Sequence, residues 1–262
     1  MRKILLISFI GILLSSCVNN YEKFYKSNTI KPSTRDYIER LKDGQEPKII
    51  FTTRERFKDE SVVLQSNGYI ALGSSTFVGP RDSNPEKHMI DQAKKVGASL
   101  VFVFEVKEGV VTSTTTSLQA NNISTSYSGT YGQPLGSALS TYYTPVSTTS
   151  SYEKIHQEAY FLAKYTKKLK LGIRTSNLTE NLKRELGRNT GALVTVVFNN
   201  TPAFNANILK GDIIIAVNGQ DVMSASNMAN IFDTLVKSGS TSLTLLILRG
   251  GKEIELEVNF KQ

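Results

Sequence analysis

Along the 262-residue chain, apolar and polar positions alternate in blocks of changing period, and the changes mark the elements. Residues 4–14 form an apolar stretch broken only by Ser8 and Gly11, whereas residues 18–35 are polar with no sustained period and a Pro at position 32. Lys48 to Thr53 and Tyr69 to Phe77 read as strands, and Asp36 to Leu41 as a short helix. Asn84-Pro85 opens a helix whose face is Met89, Ile90, Ala93 and Val96, with Gly97 at its end, and Ala98 to Val106 follows as a buried strand. This order predicts a small α/β or α+β domain over residues 36–169. After it, Lys170-Leu171-Gly172-Ile173 begins a strand, Leu178 to Leu186 is a short amphipathic helix, and Gly191 to Val197 is a second strand. Thr201-Pro202-Ala203 starts a one-turn helix, Ile213 to Val217 is a core strand closed by an Asn218-Gly219 hairpin turn, and a helix runs from Ser226 to Lys237.

Between Thr112 and Ser151 lie 40 residues without a charge, 20 of them Ser or Thr. Such a composition buries little apolar surface against the cost of ordering its backbone, so the segment is expected to be mobile or to form a protruding hairpin. Two readings stand for it: a solvated low-complexity insertion, or a recognition arm.

The first seventeen residues, MRKILLISFIGILLSSC, place two positive charges before an apolar run too short to span a bilayer. Leu14-Ser15-Ser16-Cys17 resembles the lipobox of bacterial lipoproteins. The resemblance implies a signal peptide over residues 1–16, acylation of Cys17 and a flexible tether over residues 17–35. It also places the chain on a bacterial membrane, with Val18 favouring the outer membrane facing the periplasm. Cys17 is the single cysteine, so disulfides are not expected.

The formal net charge of +8 falls to about +6 without Arg2 and Lys3, and the basic residues are interspersed with acids. Nucleic-acid binding is therefore not expected. Two histidines, His88 on the exposed side of a helix and His156 in SYEKIHQE, with one acylated cysteine do not supply a metal site, and no cofactor is expected. The chain also lacks a G-x-S-x-G elbow, so it is expected to be non-enzymatic. Asp212 follows Gly211 at the start of the core strand. Without an acid-base partner nearby in sequence, it reads as a turn-former accepting local N–H bonds.

The ordered run of KLGI, GALV, TPA, LKGDIIIAVNG, a helix after Ser226 and LLILRGGKEIELEV resembles a PDZ domain of the high-temperature-requirement periplasmic serine proteases, here without the protease domain. The resemblance covers residues 170–262. Asn207 stands where the family has Gly, and Asn tolerates the left-handed region that the position demands. The resemblance implies a partly open β-barrel with two helices that binds peptide segments or C-termini of envelope proteins as an added strand. It assigns the carboxylate loop to Leu171, Gly172 and Ile173, with Gly172 leaving room for the carboxylate and Lys168 and Lys170 adding attraction. Met228, Ile231 and Phe232 become candidates for the opposite wall, with Leu235 in the core. The alternatives kept open are a degenerate or novel hydrolase and a structural lipoprotein with an unused groove.

Overall fold

A computed structural model describes residues 19–128 and 134–260. Cys17, the signal segment and the first residues of the expected tether lie outside the described residues. Among those described, no helix is long and apolar enough to cross a membrane.

The chain forms a mixed α+β structure with two six-stranded sheets. The first contains α1 (Asn20–Lys23), β1 (Tyr25–Ser27), α2 (Pro32–Arg35), β2 (Ile38–Glu39), β3 (Lys48–Thr52), α3 (Arg54–Ser66), β4 (Tyr69–Pro80), α4 (Pro85–Val96), β5 (Leu100–Ser128) and β6 (Pro134–Tyr165). Its strands run in the order β1-β4-β6-β5-β3, with β2 on β6, and only β3 and β5 pair in parallel. The period of two along β5 fills both faces of this sheet. Val101 and Val103 join Met89 and Ala93 of α4 in one core, while Leu100 and Phe102 pack on the other face with Phe57 and Leu64 of α3.

Three sequence expectations are corrected here. Asp36 to Leu41 is not a helix. Pro32 sits in the first turn of α2, where its missing N–H has no intrahelical role, and Ile38 and Glu39 pair with Tyr165 and Lys164 as β2. Nor are residues 19–35 a tether. Tyr21 has no exposed surface, its ring meets Phe77 edge-on at 5.1 Å, and β1 pairs with Gly73 to Ser75 of β4. The Tyr21 hydroxyl donates to Gln157 Oε1 at 3.2 Å, and the buried Ser75 hydroxyl donates to the Tyr21 carbonyl. Aromatic residues in an otherwise polar run thus carry the segment into the core. His88 is likewise buried rather than exposed, its Nδ1 lying 2.7 Å from Asp82 Oδ2.

Beyond the sheet, β5 and β6 continue together as a two-stranded ribbon, paired from Thr112 with Ser151 to Ser128 with Pro134. This is the protruding-hairpin form of the uncharged segment.

The second sheet holds β7 (Ile173–Asn177), α5 (Glu180–Leu186), β8 (Ala192–Val197), α6 (Pro202–Asn205), β9 (Ile213–Val217), β10 (Gln220–Asp221), α7 (Ala225–Lys237), β11 (Ser242–Arg249) and β12 (Lys252–Asn259). Its order is β12-β11-β9-β8-β7, with β10 on β9. Ile214, Val217, Leu245, Ile247 and Val258 build its core with Met228 and Ile231 of α7. Asn207 holds φ +58°, the conformation its type was expected to permit.

Asp212 is scaffolding of a stronger kind than a turn-former. It is 1% exposed and accepts from Leu209 N at 2.8 Å, but also takes both arms of Arg249, Nε to Oδ1 and Nη2 to Oδ2, each at 2.7 Å. Arg249 Nη2 also donates to the Asn207 carbonyl at 2.8 Å, so one guanidinium ties β11 to the loop before β9. The hydrogen bonds to Asp212 hold the Arg249 guanidinium above its ordinary pKa. The arginine lies 37 positions away, beyond any local pattern.

Arg249→Met should leave the Asp212 carboxylate buried without its partner and destabilise the second domain by roughly 3 kcal/mol in urea unfolding. Tyr21→Ala should cost about 3–5 kcal/mol in the first domain, with intrinsic fluorescence and circular dichroism as readouts. Burial, followed by the charge of Glu105, raises the Tyr21 hydroxyl above the phenol range. Its contribution is therefore complete below the unfolded value of about 10 and is lost as pH rises beyond it. Tyr21→Phe should flatten the alkaline limb of the stability curve, measured as melting temperature against pH.

Candidate functional site

The sheet order leaves β7 at an edge, with β8 on one side and no strand on the other among the described residues. An edge strand presents a row of N–H and C=O groups that another extended chain can complete. Along this edge lies a groove of about 460 Å³ whose lining includes Leu171, Gly172, Ile173, Arg174 and Thr175 on one side and Met228, Ala229, Phe232 and Asp233 of α7 on the other. At its far end Asn177 Oδ1 accepts the amide of Ala225 at 2.9 Å, joining β7 to the start of α7.

The loop before β7 has polarised backbone. The Leu171 carbonyl accepts from Ala203 N at 2.9 Å, and the Gly172 carbonyl accepts from Phe198 N at 2.9 Å. With one carbonyl committed to α6 and the other to the end of β8, the N–H groups of Leu171 and Gly172 have no acceptor among the described residues. Successive free N–H groups form a concavity suited to an anion. Lys170 lines the groove beside them, while Lys168 lines a neighbouring cavity with Lys164 and Lys167.

The fold supplies a reason of its own for glycine at position 172. Its φ is +85°, and a Cβ there would lie 2.2 Å from Cβ and Oγ1 of Thr201. The scaffold behind the loop thus requires glycine here independently of any ligand in front of it. All three α7 candidates pack on the core, but only Met228 and Phe232 also line the groove, whereas Ile231 does not reach it. The 3.6-residue period explains the split. Positions 228 and 232, and 229 and 233, stack on the groove face, while 231 and 235 turn inward; Leu235 packs against the core as expected.

Sequence reasoning missed a third contribution. Thr34, Ile70 and Tyr165 of the first domain line the same groove. The domains are joined there by Asn199 N donating to the Ser66 carbonyl at 2.9 Å, Asn199 Nδ2 donating to Asn67 Oδ1 at 2.9 Å, and Arg174 donating to Gln65 Oε1. No local motif signals this, since it depends on how α3 abuts β8.

Residues 170–260 match the family described as PDZ domain. Serine protease HTRA1 of Xenopus tropicalis is 37% identical over 106 residues, which cover 37% of this chain and 22% of that protein. A probable periplasmic serine endoprotease DegP-like of Chlamydia trachomatis serovar D is 39% identical over 72 residues, covering 28% of this chain and 14% of that one. The chain thus spans about a fifth or less of the length of these relatives. Among solved structures, the HtrA3 PDZ domain bound to a phage-derived ligand (FGRWV) is 28% identical with a TM-score of 0.30, covering 34% of this chain and 81% of that one. Residues 170–260 are accordingly a PDZ domain with homology to the HtrA serine proteases.

Proposed function

We propose that this protein is a non-catalytic lipoprotein adaptor of the bacterial envelope that captures extended peptide segments, C-termini foremost, by adding them as a strand to β7. The observation that carries this reading is the conjunction of a free strand edge, two loop N–H groups without internal acceptors, and an apolar wall from α7. An incoming strand would make its main-chain hydrogen bonds with β7, and its terminal carboxylate would take the N–H groups of Leu171 and Gly172. Charge-assisted hydrogen bonds are shorter and stronger than neutral ones, and Lys170 adds a long-range pull on the same group. Met228 and Phe232 offer apolar contact to the final side chains. Asp233 disfavours an acidic residue near it.

The envelope location rests on the sequence MRKILLISFIGILLSSC and is consistent with the periplasmic setting named for the DegP-like relative. Three acyl chains on Cys17 would hold the protein on a membrane essentially permanently, since each buried methylene contributes about 0.8 kcal/mol. The outer membrane facing the periplasm is the proposed site. Because Thr34, Ile70 and Tyr165 share the groove, the first domain takes part in selecting the ligand.

A peptide ending in a free carboxylate should bind with micromolar affinity, about −8 kcal/mol at 1 μM, because one short strand must offset its own ordering. Amidation of its C-terminus should weaken binding about tenfold or more in a fluorescence-anisotropy titration. Ala229→Glu should weaken binding of an acidic C-terminus with little change in melting temperature, since position 229 is exposed and lines the groove, whereas Phe232 also packs on the core and edge-on against Phe260. Ile231→Lys would instead disrupt the core. Equal affinity for acid and amide would eliminate the carboxylate contact, and no saturable binding by any peptide of a random C-terminal library would overturn the adaptor reading. Cys17→Ala should shift the protein from the membrane to the soluble fraction or leave an uncleaved precursor. Continued partitioning of a correctly cleaved variant into detergent would remove the lipid anchor.

A further inference from the structure

Most strand edges in this protein are short or charged. β1 has three residues, β3 has five, and β12 carries Lys252, Glu253, Glu255 and Glu257. These are the usual defences of an edge against pairing with other chains. The ribbon has none of them over most of its length. On the outer side of β5 the partner strand β3 stops at Phe104, and on the outer side of β6 the partner strand β4 begins only at Lys154. Among the described residues no strand pairs with either outer edge of the ribbon beyond those points.

From Val110 to Ser128 the ribbon extends roughly 60 Å at about 3.4 Å per residue. Alternate residues of an antiparallel strand aim N–H and C=O outward, so each edge offers about ten donors and as many acceptors, comparable to the hydrogen bonds of a whole typical interface. Its faces add exposed apolar groups, with Leu118, Ile123, Leu139, Tyr142 and Tyr143 half or more exposed or nearly so. A lone two-stranded ribbon is marginal in water, and this one is held as sheet only at its base.

We infer that the ribbons of several copies of this chain pair edge to edge, β5 of one copy against β6 of the next, in a closed ring. Two observations select a second copy as the partner. The first is direction: β5 and β6 are antiparallel, so β6 of a neighbour set beside β5 continues the same alternation. A two-fold pairing of β5 with β5 would leave both β6 edges open, whereas head-to-tail pairing satisfies every edge once the ring closes. The second is charge. Copies carrying about +6 without Arg2 and Lys3 repel one another, but residues 112–151 carry no charge, and the described ribbon of 112–128 and 134–151 extends far beyond the screening distance of about 8–10 Å. The ribbon is where positively charged copies meet at least cost. Pro145 removes one donor from β6, a local interruption in an otherwise continuous ladder.

The test is sedimentation velocity of the full chain in density-matched detergent, beside two variants. One replaces residues 114–149 by Asn-Gly, which joins Ser113 to Ser150 across an existing cross-strand pair. The other keeps the full ribbon and carries Thr114→Lys with Thr116→Lys. The full chain should sediment as a species of more than two copies. The shortened variant should be monomeric with the thermal melting of the remainder preserved, and the lysine variant should dissociate at a concentration about tenfold or more higher than the wild type. A monomeric full chain, a species that stops at two copies, or an oligomer that survives ribbon shortening would overturn the proposal. Because residues 170–260 are untouched in both variants, peptide titration of the same samples reads the adaptor function independently.

Discussion

The groove depends on the contact between Thr201 and the backbone of Gly172. The threonine hydroxyl donates to the Phe198 carbonyl at 2.6 Å and caps α6 by accepting from Phe204 N at 3.5 Å, while its side chain fills the space where any Cβ on residue 172 would stand. That packing presses the loop into a left-handed turn at φ +85°, which sends its carbonyls toward α6 and β8 and leaves its N–H groups free. The edge position of β7, the wall of α7 and the first-domain residues all take their meaning from this turn. A larger residue at 172 would therefore damage the fold before it touched a ligand, and the groove is better probed from α7.

Much of the second domain was legible because its signals are local. Caps, turns and strand periods occur within a few residues of what they control: Thr201 before Pro202, Asn218-Gly219 after a fully apolar strand, Ser224 accepting from Asn227 N at 3.1 Å at the start of α7. The split of α7 into a groove face and a core face was only half legible. A stripe at helical spacing reveals an apolar side without saying what lies opposite, and of the neighbours Ile231 and Phe232, which pack on the same core, only Phe232 also reaches the groove.

The first domain was harder to read for the opposite reason. α3 has no fully buried residue and rests on Phe57 and Leu64 seven positions apart, so its period is faint in RERFKDESVVLQS, although Thr53 accepts from Arg56 N at 3.4 Å as an N-cap. The entry of Tyr21 into the core and the grip of Arg249 on Asp212 depend on partners 136 and 37 positions away, respectively. Long-range closure of this kind leaves no trace in a local window.

At the base of the ribbon, Lys107 pairs with Glu153 at 2.8 Å and Lys154 with Glu108 at 3.1 Å, and the ladder skips one residue between Lys107 and Gly109. Above that collar both faces of the ribbon are dominated by Ser and Thr, so sliding one strand by a residue would exchange similar side chains and change the packing little. Alignment of the two long strands is therefore decided by a few charges and one bulge at their root, and the rest of the ribbon inherits it by propagation. Equal trimming of both strands preserves the pairing all along the hairpin. An insertion of one residue in a single strand can be absorbed by local slippage nearer the tip, so length in this segment is free to vary while the junction with the sheet is not.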